Sequence, residues 1–157
     1  LQRADLWHVP HDGSAADALS AYFSSLTGRI AGEPKSVDIN QRAVKLLADA
    51  PGVAWATFST LCEEPRSAAD YVEMAREYHT VLIEQIPLLD RDKEDAARRF
   101  INLVDEFYDR NVKLIATAAH PPEALYTGSR LRFEFDRTVS RLQEMRTQAY
   151  LKAEHRP

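Results

Sequence analysis

The sequence has one cysteine, five glycines and no long apolar segment among its 157 residues. The single thiol, Cys62, excludes an internal disulfide and is typical of a reducing compartment. No apolar run approaches the roughly 20 residues that a transmembrane helix needs, and the first residues show no signal-peptide pattern. These absences predict a cytoplasmic protein without a transmembrane segment.

Acidic residues outnumber basic ones. The chain has 20 Lys and Arg against 24 Asp and Glu, for a formal net charge of −4. Nucleic-acid binding requires a basic surface, so no nucleic-acid partner is predicted. The hydrophobic content of 45% and charged content of 28% are ordinary for a globular protein, and the length predicts a single domain over residues 1–157.

The few glycines do not form a phosphate-binding loop. Such a loop needs glycines that let backbone N–H groups point at the phosphates, followed by a Lys and a Ser or Thr. The five glycines are Gly13, Gly28, Gly32, Gly52 and Gly128. None of them belongs to a GxxxxGK[ST] or a GxGxxG motif. The sequence therefore contains no complete ATPase site and no catalytic residue that we can name.

Residues 1–60 combine a helix with strand patterns. SAADALSAYFSSLTG predicts a helix in which Ser14 and Asp17 form a capping pair and Gly28 is the stop signal. KSVDIN alternates like a strand. RAVKLLA and GVAWATF flank the turn residues of DAPG, and we predict that these two segments form an antiparallel hairpin.

Residues 61–157 predict an α/β core and a long C-terminal helix. PRSAADYVEMAREY repeats the capping pattern with Ser67 and Asp70. The apolar strands 80–86 and 112–118 flank a strongly amphipathic helix at 93–110, which predicts a parallel βαβ unit. The tail from Phe133 to about Leu151 is predicted as one helix. The fold class is α/β, a βαβ parallel core with an N-terminal antiparallel hairpin.

The strand HTVLIEQIP ends in an acid. In a phosphate-loop ATPase, such a strand places an Asp on Mg²⁺ and a neighbouring Glu beside the attacking water. Here Glu84 and Gln85 hold those places, and a carboxamide cannot take the proton of a water molecule. The alternative is that both residues only end a buried strand at the surface.

Two further groups of reactive side chains are incomplete. HVPHD supplies His8, His11 and Asp12, but no second ligand cluster accompanies them, so no metal site is predicted. Cys62 and His79 would need a third, orienting group and an oxyanion motif to act as a nucleophile and base. Cys62 is therefore predicted to be a small buried residue.

Several longer segments carry a family resemblance. They are ADLWHVPHD, FSTLCEEPRSAADYVEMAREYHTVLIEQIP, ARRFINLVDEFYDRNVKLIATA, LYTG and FEFDRTVSRLQEMRTQAYL. In this order they resemble the C-terminal half of the ZapE-type ATPases over about residues 4–155. These are AAA+-related phosphate-loop proteins of bacterial cell division, whose mitochondrial relatives include the lactation-elevated ATPase. The resemblance implies that the phosphate loop and acid strand lie upstream, and that HTVLIEQIP is not the catalytic strand.

The resemblance also implies cofactors and partners for a longer parent protein. The parent would use ATP and Mg²⁺ to remodel a partner, which in bacteria is the division protein FtsZ. The chain also starts without Met, and we expect a fragment whose partner is the missing N-terminal ATPase half, with no cofactor of its own. An oligomer is compatible with such a family. The alternative is a stand-alone protein–protein interaction module without nucleotide chemistry.

Three arginines are the candidate site residues. Arg137 and Arg141 are one turn apart and are predicted to lie opposite the apolar stripe of the last helix, which Arg130 precedes. In AAA+-like assemblies, an Arg from a neighbouring element or subunit neutralises charge on the γ-phosphate. All three are therefore candidate phosphate or interface arginines. The alternative is a solvated helix face in which Arg141 pairs with Glu144.

Overall fold

The computed structural model describes residues 6–30 and 34–157 as a mixed α/β structure with two sheets. The strands are β1 Trp7–His8, β2 Lys35–Ile39, β3 Arg42–Leu46, β4 Ala48–Ala50, β5 Val53–Thr57, β6 Thr80–Ile86 and β7 Lys113–Ala118. Five of them form the larger sheet, in the order β1-β7-β6-β5-β4, and β2 and β3 form a separate two-stranded sheet.

Six α-helices accompany these strands in the described residues. They are α1 Gly13–Thr27, α2 Ala68–Glu77, α3 Glu94–Asp109, α4 Pro122–Leu125, α5 Arg132–Glu144 and α6 Gln148–Lys152. A π-helical turn covers Ser59–Glu63, and a 3₁₀ turn covers Arg91–Lys93. Within 6–30 and 34–157, no helix is long and apolar enough to span a bilayer.

The parallel core is as predicted. β5, β6, β7 and β1 are parallel to one another, β4 is antiparallel to β5, and α3 connects the adjacent strands β6 and β7. Alternate strand residues face opposite sides of the sheet. One side packs with α1 through Leu19 and Phe23, and the other side carries the larger cluster with α2, α3 and α5. The α/β class and the βαβ unit are confirmed.

The start of α1 differs from the prediction. Asp12, not Ser14, is the N-cap, and its side chain accepts a hydrogen bond from the Ala15 N–H at 3.1 Å. Asp is at least as good an N-cap as Ser, and the earlier cap satisfies the first free N–H groups of a helix that begins at Gly13. The predicted stop is confirmed, because Gly28 ends the helix with φ 69°.

The antiparallel hairpin has a different partner strand. The turn at Pro51–Gly52 joins β5 to the three-residue strand β4, whereas RAVKL pairs with Lys35–Ile39. Asn40 and Gln41 both have positive φ, at 52° and 68°. A two-residue turn of that kind matches the twist of antiparallel strands and closes a hairpin of its own. The predicted single strand RAVKLLA therefore divides between two sheets.

The prediction of one continuous helix from Phe133 to about Leu151 is wrong, because the helix ends at Glu144. α5 and α6 are separate helices, and Thr147 caps α6 by accepting a hydrogen bond from the Tyr150 N–H at 3.3 Å. The Tyr150 hydroxyl donates to the Val112 carbonyl at 2.6 Å. Burial of Tyr150 beside the start of β7 requires the chain to turn back, which a continuous helix would prevent.

The turn glycine Gly52 supports a prediction. Its φ is +78°, and a Cβ at this position would lie 2.5 Å from Cδ2 of His79. We expect Gly52→Ala to reduce the free energy of unfolding by at least about 1 kcal/mol, because it adds both backbone strain and a clash. Urea denaturation measures this loss. Gly13→Ala is the matched control, since nothing lies within 4 Å of its added Cβ, and an equal loss there would contradict the explanation.

Candidate functional site

Arg137 and Arg141 meet at one carboxylate on the neighbouring helix. Arg141 Nη1 donates to Asp105 Oδ1 of α3, and Arg137 Nη2 donates to Asp105 Oδ2 at 3.4 Å. At 100° per residue, Arg137 lies about 130° and Arg141 about 90° from the mean direction of the buried Phe135, Thr138 and Leu142. Arg137 therefore lies roughly opposite the buried stripe and Arg141 at its side, and both reach Asp105 of α3.

An aromatic ring also orients Arg141. Its guanidinium lies 5.0 Å from the ring centroid of Tyr108, which is a cation–π distance. The Tyr108 hydroxyl donates to Glu144 at 2.7 Å, and this hydrogen bond raises the pKa of the phenol above its ordinary value. Arg141 thus pairs with Asp105 and not with Glu144. A guanidinium held between a carboxylate and an aromatic ring keeps a defined direction.

The two arginines differ in accessibility. The side chain of Arg141 is 25% exposed and that of Arg137 is 54% exposed. The two guanidinium groups share the Asp105 carboxylate, and Glu144 lies nearby through its hydrogen bond with Tyr108. Carboxylate and phosphate oxygens both match the fork geometry of a guanidinium. A guanidinium has five N–H donors, so both arginines keep donors beyond their bonds to Asp105.

Arg130 belongs to a separate cluster at the start of α3. Its backbone N–H donates to Glu94 Oε2 at 2.9 Å, and its side chain lines a depression of about 190 Å³. The Tyr126 hydroxyl donates to Glu94 at 2.5 Å, which is the main reason that the pKa of this carboxyl is lowered. Glu94 and Asp105 are eleven residues apart on α3, or about 16 Å at 1.5 Å per residue. The structure therefore divides the three candidate arginines between two places.

Glu84 and Gln85 lie at the carboxyl end of the central strand β6. Glu84 Oε1 accepts a hydrogen bond from Trp55 Nε1 at 2.8 Å. Gln85 has φ 64°, its N–H donates to Thr117 Oγ1 at 2.8 Å, and the register with β7 shifts between Ile83 and Ile86. These contacts give Glu84 a structural role, as an acceptor for a partly buried indole N–H.

Strand register also aligns polar residues that the sequence did not connect. Thr57 lies opposite Glu84, and His8 lies opposite Thr117, at the carboxyl ends of four neighbouring parallel strands. The residues two positions earlier in these strands are apolar and pack against α1. The strand patterns alone gave no register, and register decides which side chains are neighbours.

Cys62, His79 and Asp12, the remaining reactive side chains, have separate structural surroundings. Cys62 is fully buried, burial raises the pKa of its thiol to about 12, and the neighbouring phenol is Tyr71. Such a thiol is inert, so the buried reading of Cys62 is confirmed. His79 is hydrogen-bonded to Thr80. Asp12 caps α1, and across the described part of the chain no group of three His, Cys, Asp or Glu side chains is placed to hold a metal ion.

Comparison with known proteins gives consistent matches along the chain. The family model of the AFG1-like ATPases matches residues 1–154. The cell division protein ZapE of Escherichia coli K12 is 41% identical over 156 residues, which are 99% of this chain and 41% of that protein. The lactation elevated protein 1 homolog B of Danio rerio is 32% identical over 92% of this chain and 36% of its own length.

The chain thus spans about two fifths of the length of these relatives. No solved structure matches it. The family model covers nearly every residue, and the match to ZapE includes 99% of the chain. The chain belongs to the AFG1-like ATPase family, as a member of the ZapE type.

Proposed function

We propose that this chain is the C-terminal region of a ZapE-type ATPase that couples ATP hydrolysis to remodelling of a cell-division partner of the FtsZ kind. The observation that carries the proposal is the family match over residues 1–154, together with a match to only 41% of the length of ZapE. ATP and Mg²⁺ are then bound by the upstream part of the parent protein, because no glycine here completes a phosphate loop.

The role of this region is packing against the ATPase half, contact with the partner, or supply of an arginine to a nucleotide bound elsewhere. Arg141 and Arg137 are the residues that we assign to the last role. Arg141 is oriented by Asp105 and Tyr108, and Arg137 keeps more than half of its side chain in solvent. An incoming phosphate would find two guanidinium groups that share a single carboxylate.

The location of nucleotide binding is directly testable. We expect the isolated chain to show no micromolar Mg-ATP site in calorimetric titration, because it lacks both the backbone nest and the lysine of a phosphate loop. A longer protein that includes the upstream region should bind Mg-ATP under the same conditions. A micromolar Mg-ATP site on the isolated chain would refute the proposal that only the upstream region binds the nucleotide.

The arginine role requires that longer protein. Arg137→Lys and Arg141→Lys keep the charge but lose bidentate geometry, so we expect the melting temperature to stay nearly unchanged. At least one variant should lower ATP turnover or partner binding by about tenfold, equal to about 1.4 kcal/mol. Arg76→Lys on α2 is the control, since Arg76 forms only an exposed i,i+3 pair with Glu73. Wild-type activity in both test variants would identify the arginines as a solvated face.

A second candidate function is a protein–protein interaction module without nucleotide chemistry. It is favoured by Phe133, whose side chain is 83% exposed on α5. A partner that covered this ring would bury an aromatic side chain of the kind that is enriched among interface hot spots. If the longer protein neither bound nor hydrolysed Mg-ATP, this second function would replace the first.

A further inference from the structure

Tyr150 of α6 is held in place at both its hydroxyl and its backbone. It is 6% exposed, and its hydroxyl donates to the Val112 carbonyl at 2.6 Å, with the Phe107 carbonyl at 3.2 Å as a second acceptor. Its own carbonyl oxygen accepts hydrogen bonds from Asn111 Nδ2 at 3.0 Å and Lys113 Nζ at 3.3 Å. Burial raises the pKa of the Tyr150 phenol, so the hydroxyl keeps its proton as a donor. A side chain fixed in this way provides a rigid surface for its neighbours.

One neighbour that contacts this surface is Tyr108 of α3. The two rings stack, with their centroids 6.1 Å apart and their planes at 18°, which lies within the range of favourable offset pairs. We call these two side chains the tyrosine pair. Tyr108 is half-buried, so the stack restricts a ring that solvent would otherwise leave partly free. Because the guanidinium of Arg141 lies 5.0 Å from the centroid of Tyr108, contacts lead from Tyr150 through Tyr108 to Arg141.

The break between α5 and α6 brings Tyr150 to this position. In one continuous helix, Tyr150 would follow Arg141 by about 13.5 Å along the axis and about 180° around it. It would then point away from Arg141 and could not contact the same ring. Instead, the carbonyl oxygen of Glu144, the last residue of α5, accepts hydrogen bonds from the Thr147 N–H at 3.0 Å and the Thr147 hydroxyl at 2.8 Å. The resulting turn lets Tyr150 and Arg141 contact the same ring.

We propose that Tyr150 is a positioning residue for Arg141, acting through the ring of Tyr108. This positioning role rests on the phosphate-binding role proposed above for Arg141. A guanidinium that already has a fixed direction loses less conformational freedom when a phosphate arrives, and such preorganisation favours the transition state. Asp105 accepts a hydrogen bond from the guanidinium, and the tyrosine pair supports the ring on which the guanidinium lies.

Side-chain NMR of the isolated chain tests this coupling without nucleotide. In the wild type, the Nε–H group of Arg141 should have an order parameter near the value of about 0.85 that is typical of a rigid group. Tyr150→Leu removes the ring and should lower that order parameter below about 0.6. Tyr150→Phe is the matched variant, because it also loses the hydroxyl bonds to Val112 and Phe107 but keeps the ring. It should leave the order parameter of Arg141 close to that of the wild type.

Arg137 is an internal control in the same spectra. It shares Asp105 with Arg141, so a general loosening of α5 would change both arginines, whereas loss of the stacked rings should change Arg141 alone. Tyr108→Leu should mobilise Arg141 as Tyr150→Leu does, and combining the two should add nothing further, because Tyr150 acts through Tyr108. Circular dichroism establishes that each variant is folded, and Tyr150→Met replaces Tyr150→Leu if the latter is not.

ATP turnover by the longer protein tests the consequence for catalysis. Tyr150→Leu should lower kcat by about tenfold with little change in KM, because a misdirected guanidinium fails mainly in the transition state. The conservative variant Tyr150→Phe should recover most of that loss.

The positioning role is overturned if Arg141 is mobile in the wild type, if Tyr150→Leu leaves its order parameter unchanged, or if Arg137 changes equally. It is also overturned if Arg141→Lys lowers turnover and Tyr150→Leu does not. A different result separates the two proposals. If Tyr150→Leu mobilises Arg141 but both Arg141→Lys and Tyr150→Leu keep wild-type turnover, Tyr150 does orient Arg141, and the phosphate-binding role of Arg141 is the proposal that fails.

Discussion

Ile101→Ala should lower the free energy of unfolding by about 2–5 kcal/mol. Ile101 lies in the middle of α3, is 1% exposed and belongs to the main cluster between the helices and the sheet. Truncation removes its transfer free energy and leaves a cavity, because α3 is fixed by packing against α2 and α5 and cannot collapse into the space. Equilibrium denaturation with urea, at constant m value, measures the loss.

The control for Ile101 lies on the same helix. Asp109 is exposed and is the last residue of α3. Replacing it by Ala removes an unfavourable acid from the helix C-terminus, so Asp109→Ala should change stability by less than about half a kcal/mol. If Ile101→Ala lost as little as Asp109→Ala, the buried side of α3 would have been assigned to the wrong residues.

The βαβ unit could be predicted from sequence because the same burial that makes Ile101 important gives α3 a clear apolar stripe. Helical periodicity is strong when one face is fully buried and the other is charged, as it is along α3. The two adjacent strands are apolar runs because both faces of the sheet are covered. Every residue of the predicted stripe is buried in the structure, namely Ala97, Phe100, Ile101, Val104 and Phe107.

Elements at the edges were harder to predict, since their partners are decided by distant residues. RAVKLLA has a strand pattern, but that pattern does not say whether it pairs with the segment before or after it. The break after Glu144 depends on Tyr150, which bonds to the carbonyl oxygens of Val112 and Phe107 about 40 positions earlier. Helical periodicity continued through the break, so only the tertiary contact could locate it.

The contacts of the candidate site also depend on distant residues that the sequence pattern does not reveal. The helical pattern of α5 identified a polar side with Arg137 and Arg141, but it could not show that α3 places Asp105 between them. The exposure of Phe133 was missed for a related reason. An apolar residue in an amphipathic helix is read as core by default, and only the structure, in which Phe133 is 83% exposed, shows that no part of the described chain covers it.

Asp70→Ala is expected to lower the free energy of unfolding by about 2–3 kcal/mol. Asp70 is 2% exposed, and its carboxylate accepts hydrogen bonds from the Ser67 N–H at 2.9 Å and from Arg42 Nη1 at 2.6 Å. The first bond completes the predicted capping box of α2, which the structure confirms. The Asn40 amide donates to the same carboxylate at 3.2 Å, so Asp70 also fastens the β2–β3 hairpin to α2.

Asp70 should also make stability depend on pH. Burial alone would raise the pKa of Asp70, but the hydrogen bonds from Ser67, Asn40 and Arg42 outweigh burial and hold the pKa below its ordinary value. The folded state therefore binds this proton less readily than the unfolded state. The contribution of Asp70 is then fully present above about pH 4–5 and is lost as the pH falls through the folded pKa.

The measurement is a comparison of wild type with Asp70→Asn in urea at a series of pH values from 7 down to about 3. Asn keeps one acceptor oxygen for the capping box but cannot ionise, so it isolates the charge from the shape of the side chain. The stability difference between the two proteins should be constant near neutrality and should shrink below about pH 4. A difference that stayed constant over the whole range would show that the Asp70 carboxylate gains nothing from its charge. In that case the bond to Arg42, whose side chain is 47% exposed, would have to be as weak as an ordinary surface ion pair.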